Sequence, residues 1–297
     1  MAPSTFELLA EPWVFLSLSL KQLPTTIFTL VRAGDWASLF TWSTFQDRWF
    51  GNLWSWAGPE VRKASEARVI PLLQGRVKAG AILPESEAEG GVYGNVVEVG
   101  PGQGNWVSIF TEEYLGRGSS SSGNADTADG LRQRKPHAGV TKVYGVEPNP
   151  DQHDGLAKAI TEAGMDGVYE IVPYGIQDMG KTGIAKGSID CIATIMCLCS
   201  IPEPEKNVAE LYTYLKPGGK WFVYEHVVCY KKQGTFMALY QAFVNLFWPT
   251  CMGGCQLRRD TQATLLKAGP WTSVDLAAPV DEQWAVCTPH AYGVLTK

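Results

Sequence analysis

Charge is scarce in this chain. Charged residues fill 19% of its 297 positions and the formal balance is −5, so composition provides no broad basic face for nucleic acid. The first sixty residues lack a long apolar run. Their most apolar stretch, Trp13 to Leu20, is eight residues between Glu11 and Lys21, whereas a spanning helix needs about 20. A secretory leader fits poorly as well, because Glu7 and Glu11 precede the first Lys or Arg, at Lys21. A disulfide framework is missing: the seven Cys are odd in number, at 191, 197, 199, 229, 251, 255 and 287. No pair has a zinc-binding spacing with a matching second half, and the four His are dispersed. The expectation is reduced thiols in a cytoplasmic setting and no metal.

What is present is apolar mass, 45% of the residues, enough for one α/β domain with an appendage. Six of the eleven Trp (Trp13, Trp36, Trp42, Trp49, Trp54 and Trp56) lie near the N-terminus. Residues 1–60 read as a Trp-rich helical cap packed on the main domain. The second reading is peripheral contact with a membrane surface through the same aromatics. From Pro59 onward, Val69, Leu72, Leu73 and Val77 form an apolar stripe at helical spacing. Residues 116–138 are rich in Ser, Gly and Asp and have one large aliphatic, Leu131. Such a segment buries too little to offset its ordering entropy, and reads as a disordered insert within the domain of residues 61–297.

Residues 96–104, VVEVGPGQG, put a Val-rich strand before three glycines, with a helical pattern following in NWVSIFTEEYL. A strand, a glycine turn and a helix present backbone N–H groups to a nucleotide at the carboxyl edge of an α/β sheet. The next strand, Lys142 to Val146, ends on Glu147. An acid there can accept hydrogen bonds from both ribose hydroxyls. Glu147 follows Glu98 by 49 residues, or by 26 once the 23 residues of 116–138 are set aside, near the usual spacing. A dinucleotide fold would want a third glycine where Asn105 stands, and Glu98 would repel a pyrophosphate. A nicotinamide oxidoreductase is therefore the disfavoured alternative.

The pattern E-x-G-x-G-x-G at Glu98, Gly100, Gly102 and Gly104 resembles motif I of class I S-adenosylmethionine (SAM)-dependent methyltransferases. The run LKPGG at 215–219 before a strand is similar to a feature of the same superfamily. MCLCSI, EHV, GGCQLRRDT and PHAYGV resemble more closely the methyltransferase-like thiol S-methyltransferases associated with endoplasmic reticulum and lipid droplets. The resemblance covers about residues 60–297 apart from 116–138, and a fungal-style relative acting on a small metabolite fits it as well. It implies a Rossmann-like α/β fold: a seven-stranded, mostly parallel sheet, helices on both faces, a helical N-terminal cap, and an antiparallel final strand. The last two strands are expected at Thr272–Asp275 and from Trp284–Thr288 onward.

The resemblance also implies the cofactor, SAM, and its contacts. Glu98, Gly100, Gly102 and Gly104 would hold the methionine portion and Glu147 the ribose, with Pro148 and Asn149 beside the adenosine. Ile176, Gln177 and Asp178 would lie at the adenine, and Thr194 would border the methionine. The acceptor expected is a small apolar molecule, with a thiol first and an oxygen or nitrogen nucleophile of secondary metabolism second. Methyl transfer from a sulfonium is an in-line displacement, so alignment is the protein's main task. His226, just past the fifth strand, is the candidate general base. Cys197, Cys199 and Cys255 read as core thiols, and Arg258 and Arg259 as solvated. The aromatic stripe Phe236, Tyr240, Phe243 and Phe247 reads as core packing that also borders the acceptor.

Overall fold

A computed structural model describes residues 3–115 and 139–297; the expected insert, 116–138, lies outside the described residues. The chain opens with three helices: α1 (Thr5–Ala33), α2 (Trp36–Phe40) and α3 (Trp42–Leu73). α1 begins with a capping box, in which Ser4 and Glu7 satisfy each other's backbone N–H, and ends on left-handed Gly34. Residue 60 falls inside α3, so one continuous helix carries both the Trp-rich segment and the Val69–Leu72–Leu73 stripe, which is fully buried.

A short hairpin, β1 (Val77–Lys78) and β2 (Ala81–Ile82), leads to the main sheet. Its strands are β3 (Gly94–Val99), β4 (Val140–Val146), β5 (Tyr169–Val172), β6 (Ile189–Ile195), β7 (Leu215–His226), β8 (Ser273–Ala277) and β9 (His290–Thr296). They lie in the order β5-β4-β3-β6-β7-β9-β8. The first five run parallel, and β9 is antiparallel to both β7 and β8. The sheet has the expected seven strands. The helices between and after them are α4 (Glu112–Leu115), α5 (His153–Glu162), α6 (Pro204–Tyr214), α7 (Gly234–Val244), α8 (Trp248–Cys251) and α9 (Thr261–Lys267).

Both faces of the central strand β3 are covered, which is why Val96, Val97 and Val99 are all buried although they point to opposite sides. Val96 packs with Phe110, Leu156 and Tyr169 on one face, while Val97 and Val99 join Ile192, Trp221 and Val223 on the other. A third cluster joins the N-terminal helices to the end of the chain through Leu16, Trp49, Leu53, Met237 and Trp248. Ser19 sits at its centre, donating to the Cys251 carbonyl while its own carbonyl accepts from the Trp49 indole.

Four local expectations differ. The residues after the glycine loop form turns and a 3-10 helix at Val107–Phe110 before α4, where a longer helix was expected. LKPGG does not separate α6 from the strand, because β7 already begins at Leu215. The final strand starts at His290, since the Gln233 amide holds the Trp284 and Val286 carbonyls in a turn. Finally, Phe236, Phe243 and Phe247 do not pack in the core: they are exposed, and Met237, Gln241 and Val244 supply the buried face of α7.

α1 also differs from a short apolar run: it is a 29-residue helix, long and apolar enough to cross a membrane by length and composition, with only 22% of its most apolar window buried. Leu8, Pro12, Leu16 and Leu30 face inward, and Phe6, Leu20, Ile27 and Phe28 face out. Exposed Trp13 meets Phe243 and Phe247, with ring centroids 5.7 and 6.1 Å apart. The outward apolar face of α1 is therefore continuous with that of α7.

Candidate active site

Strand order reverses between β3 and β6: β4 and β5 lie to one side, β7 to the other. In open α/β sheets the crevice for ligands forms at this switch, beyond the carboxyl ends of the strands. The loops that border it here are the glycine loop after β3 and the turn Met196–Ser200 after β6. They touch: a Cβ on Gly100 would stand 2.9 Å from that of Cys197.

Glu98 is the penultimate residue of β3 and is buried. Its strand neighbours in register are Gly145 and Ala193, both small. Gly145 is required: a Cβ there would lie 2.5 Å from the Tyr169 hydroxyl, which passes over it to donate to Glu98 Oε2 at 2.7 Å. Glu98 Oε1 is buried and has no partner among the described residues. Burial pushes the Glu98 carboxyl up to about 7, against the Tyr169 hydrogen bond and with help from nearby Glu147.

Glu147 follows β4 and is buried too. Its Oε2 accepts from Gly102 N–H and its Oε1 from Asn149 N–H, each at 2.9 Å. The acid and the glycine loop thus hold each other. Burial raises its pKa, and the two backbone donors work against that rise. α3 lies across the loop: the Trp54 indole would be 3.3 Å from a Cβ on Gly102, Gln103 Nε2 donates to Ser55, and Arg62 donates to the Asn105 carbonyl.

The remaining expected cofactor residues divide. Asn149 joins the Glu147 cluster and caps the turn that follows by accepting from Asp151 N–H, with Pro148 exposed beside it. Ile176 is buried at the start of a 3-10 helix after β5. Gln177 is exposed, and Asp178 pairs with Lys181 at 2.7 Å. Thr194 stands apart from the expected methionine contact: in register with Val99, it lies on the face opposite Glu98, and its hydroxyl accepts from the Trp221 indole at 3.0 Å. Sequence reasoning missed Gln152, buried against Gly51 of α3 with both amide atoms unpartnered among the described residues. Nothing in a lone Gln signals this.

On the other side of the crevice, Glu225 is fully buried and ties down the turn after β6. It accepts from Cys197 N–H and the Cys197 thiol through Oε1, and from Leu198 N–H through Oε2. Burial lifts its carboxyl to about 8. His226, the last residue of β7, is half-buried, with its ring 4.9 Å from that of His290. Burial works to lower its pKa, but Cys199 together with the nearby Glu225 and Glu282 raises it on balance. The structure also collects what the sequence scattered: Cys199, Cys255 and His226 place their sulfur and nitrogen atoms within 4.8 Å of one another. Arg259 is not solvated; it donates to the Leu198 and Ile201 carbonyls. Arg258 is exposed.

A seven-stranded sheet with one antiparallel strand, a glycine loop at the switch point and an acid closing the neighbouring strand define the Rossmann-like fold of class I methyltransferases. The methyltransferase domain family matches residues 68–247, more than half of the chain, and the chain belongs to that family. It is 34% identical over 158 residues to the thiol S-methyltransferase TMT1B of Rattus norvegicus, covering 52% of this chain and 62% of that protein. Over 117 residues it is 29% identical to the thiol S-methyltransferase TMT1A of Homo sapiens, covering 38% and 46%. The chain thus matches about half the length of these relatives. A solved geranyl diphosphate methyltransferase, 12% identical, aligns over 78% of this chain and 77% of that one with a TM-score of 0.48.

Proposed function

We propose that the chain transfers the methyl group of SAM to a small apolar thiol. The observation that carries the reading is the unpartnered Glu98 oxygen, buried in β3 just before the glycine loop. A buried carboxylate oxygen without a donor is costly, and the ammonium of an amino-acid cofactor satisfies it. The same oxygen would repel a pyrophosphate, which counts against a dinucleotide. Glu147 keeps free lone pairs beyond its two backbone donors and suits the ribose hydroxyls. The unpartnered Gln152 amide, near Glu147 along the chain, suits a polar edge of the nucleoside. SAM, when bound, supplies an electrophilic methyl on a sulfonium. The protein's residues hold its two ends and seat the acceptor at the carboxyl edge beside His226.

The thiol is favoured by the names of the relatives and by the apolar cluster that α1, α3, α7 and α8 form with Cys199 and Cys255. Incubation of the full chain with labelled SAM and panels of thiols, phenols and amines is expected to give mass gain on apolar thiols alone. Methylation confined to phenols or amines would overturn the thiol assignment, and product from none of the panels would overturn the function.

The enzyme works, on this reading, on the cytoplasmic side of a membrane surface. The seven free cysteines suit a reducing compartment, and the outward apolar face of α1 and α7 suits an interface. Residues 1–60 hold only Lys21, Arg32 and Arg48 against five acids, so the attraction is apolar and independent of lipid charge. The full chain is expected to float with neutral phosphatidylcholine vesicles. Phe28→Ser combined with Phe243→Ser is expected to abolish flotation with little change in Tm, since both rings are more than half exposed. Flotation undiminished in the double variant would rule out this face.

A further inference from the structure

The cluster of Cys199, His226 and Cys255 is the strongest chemistry on the molecule outside the cofactor contacts. Its members come from three elements: the turn after β6, the end of β7 and the turn after α8. Their candidate ligand atoms lie within 4.8 Å of one another, with Cys255 Sγ 4.0 Å from His226 Nδ1. Tetrahedral zinc, with Zn–S about 2.3 Å and Zn–N about 2.0 Å, sets ligand edges at about 3.5–3.8 Å. Contraction by about 1 Å or less closes the site. Two thiols and an imidazole are the donor set that favours zinc over the hard cations.

The surrounding backbone holds these three side chains in place. Met196, which starts the turn bearing Cys199, takes a left-handed φ of +53°, a strained conformation for a side chain of this type. It is pinned by its own N–H to the Tyr224 carbonyl at 2.7 Å. The Cys199 carbonyl accepts from Gln256 N–H at 2.9 Å, which locks the Cys199 and Cys255 turns together. Thr261 donates to the His226 carbonyl. Among the described residues the Cys199 sulfur is otherwise poorly engaged, with only contacts of 3.7–3.8 Å, to the Ser200 hydroxyl and the Met196 carbonyl, besides its neighbours in the cluster.

Among the described residues no fourth His, Cys, Asp or Glu completes the set. Structural zinc sites are closed by four protein ligands, whereas three protein ligands and an open position mark a catalytic one. The geometry points to a zinc site formed by Cys199, His226 and Cys255 whose open position takes the sulfur of the acceptor thiol. This rests on the thiol reading above, and the buried site adjoins the glycine loop through its own turn: Cys197, two residues before Cys199, abuts Gly100. On ligation the thiol proton passes to solvent. The thiolate lone pair then forms the new S–CH3 bond as the methyl–sulfonium bond breaks, its electron pair returning to the donor sulfur. The products are a thioether and S-adenosylhomocysteine. His226 enters as a ligand rather than as the base that its position in the sequence suggests.

The test uses the full chain purified under reducing conditions without chelator. About one zinc per chain is expected by elemental analysis, and cobalt(II) put in its place is expected to give thiolate charge-transfer absorption with tetrahedral d–d bands. A small apolar thiol added without SAM is expected to shift those bands. Cys255→Ser and Cys199→Ser are each expected to weaken the charge-transfer absorption and lose zinc, with SAM binding retained as the check on folding. Stripping zinc is expected to slow thiol methylation at pH 7 about thirtyfold. That factor separates a full thiolate from the ~3% present for a thiol of pKa about 8.5. A wild-type chain that takes up neither zinc nor cobalt, or whose Cys199 and Cys255 prove joined as a disulfide, overturns the site. So does unchanged thiol methylation after stripping, and that result leaves the thiol reading standing. A metal-loaded protein that shifts its bands with thiols yet methylates none confirms the site and overturns the activity.

Discussion

Glu98→Gln is expected to weaken SAM binding about 150-fold, read by calorimetry on the purified chain. The substitution keeps the shape of the side chain and its acceptance of the Tyr169 hydroxyl, and removes only the charge. Breaking a buried charge pair by removing one partner costs about 3–5 kcal/mol, and the lower figure corresponds to roughly 150-fold. The same residue sets a pH dependence. Its carboxyl is pushed up to about 7 by burial, and the cofactor's ammonium pairs only with the ionised form. Affinity should therefore be full above pH 7 and fall as protonation of free Glu98 competes, by roughly tenfold between pH 8 and pH 6. The stability of the cofactor-free protein runs the other way. A carboxyl with a raised folded pKa destabilises the fold once ionised, so stability declines as pH rises from about 4.5 through 7. The Tm of the Gln variant at pH 8 should consequently not fall below that of the parent. A binding curve flat across pH 6–8, or a Gln variant that binds SAM within threefold of the parent, would remove Glu98 from the site.

Gly104→Ala is expected to lower Tm by about 4–20 °C. Gly104 takes φ +83°, and a Cβ there would stand 2.6 Å from the Ala159 Cβ and 3.1 Å from Leu156 in α5. The left-handed backbone costs an alanine about 1–2 kcal/mol, and forcing atoms into a packed core adds about 1–3. The total converts to the shift quoted at about 2–4 °C per kcal/mol for a domain of this size. Calorimetric scanning decides it. A change under 2 °C would mean that α5 yields and that the third glycine serves the ligand alone.

The parts of this fold that were legible in the sequence are those whose signals are local. VVEVG shows a doubly buried strand entering a turn, and the spacing from Glu98 to Glu147 makes sense once 116–138 is set aside. The stripe of Val69, Leu72 and Leu73 shows which side of α3 faces the core. What was illegible depends on partners distant in the chain. The ring stripe of α7 has core periodicity, but α1 packs beside it and leaves Phe243 outward. Thr194 carries a plausible polar group at a strand end, yet strand register turns it toward Trp221. Cys199 and Cys255 are 56 residues apart, and only the joining of their two turns through the Gln256 N–H makes them neighbours.

α3 has a mechanical consequence. The helix runs from Trp42 past the glycine loop to the buried Leu73, and Pro59 within it removes a backbone donor and sets the point at which it bends. The stacked Phe50 and Trp54 rings, 5.4 Å apart, lie on the N-terminal side of that bend, so any flexing there carries Trp54 toward or away from Gly102.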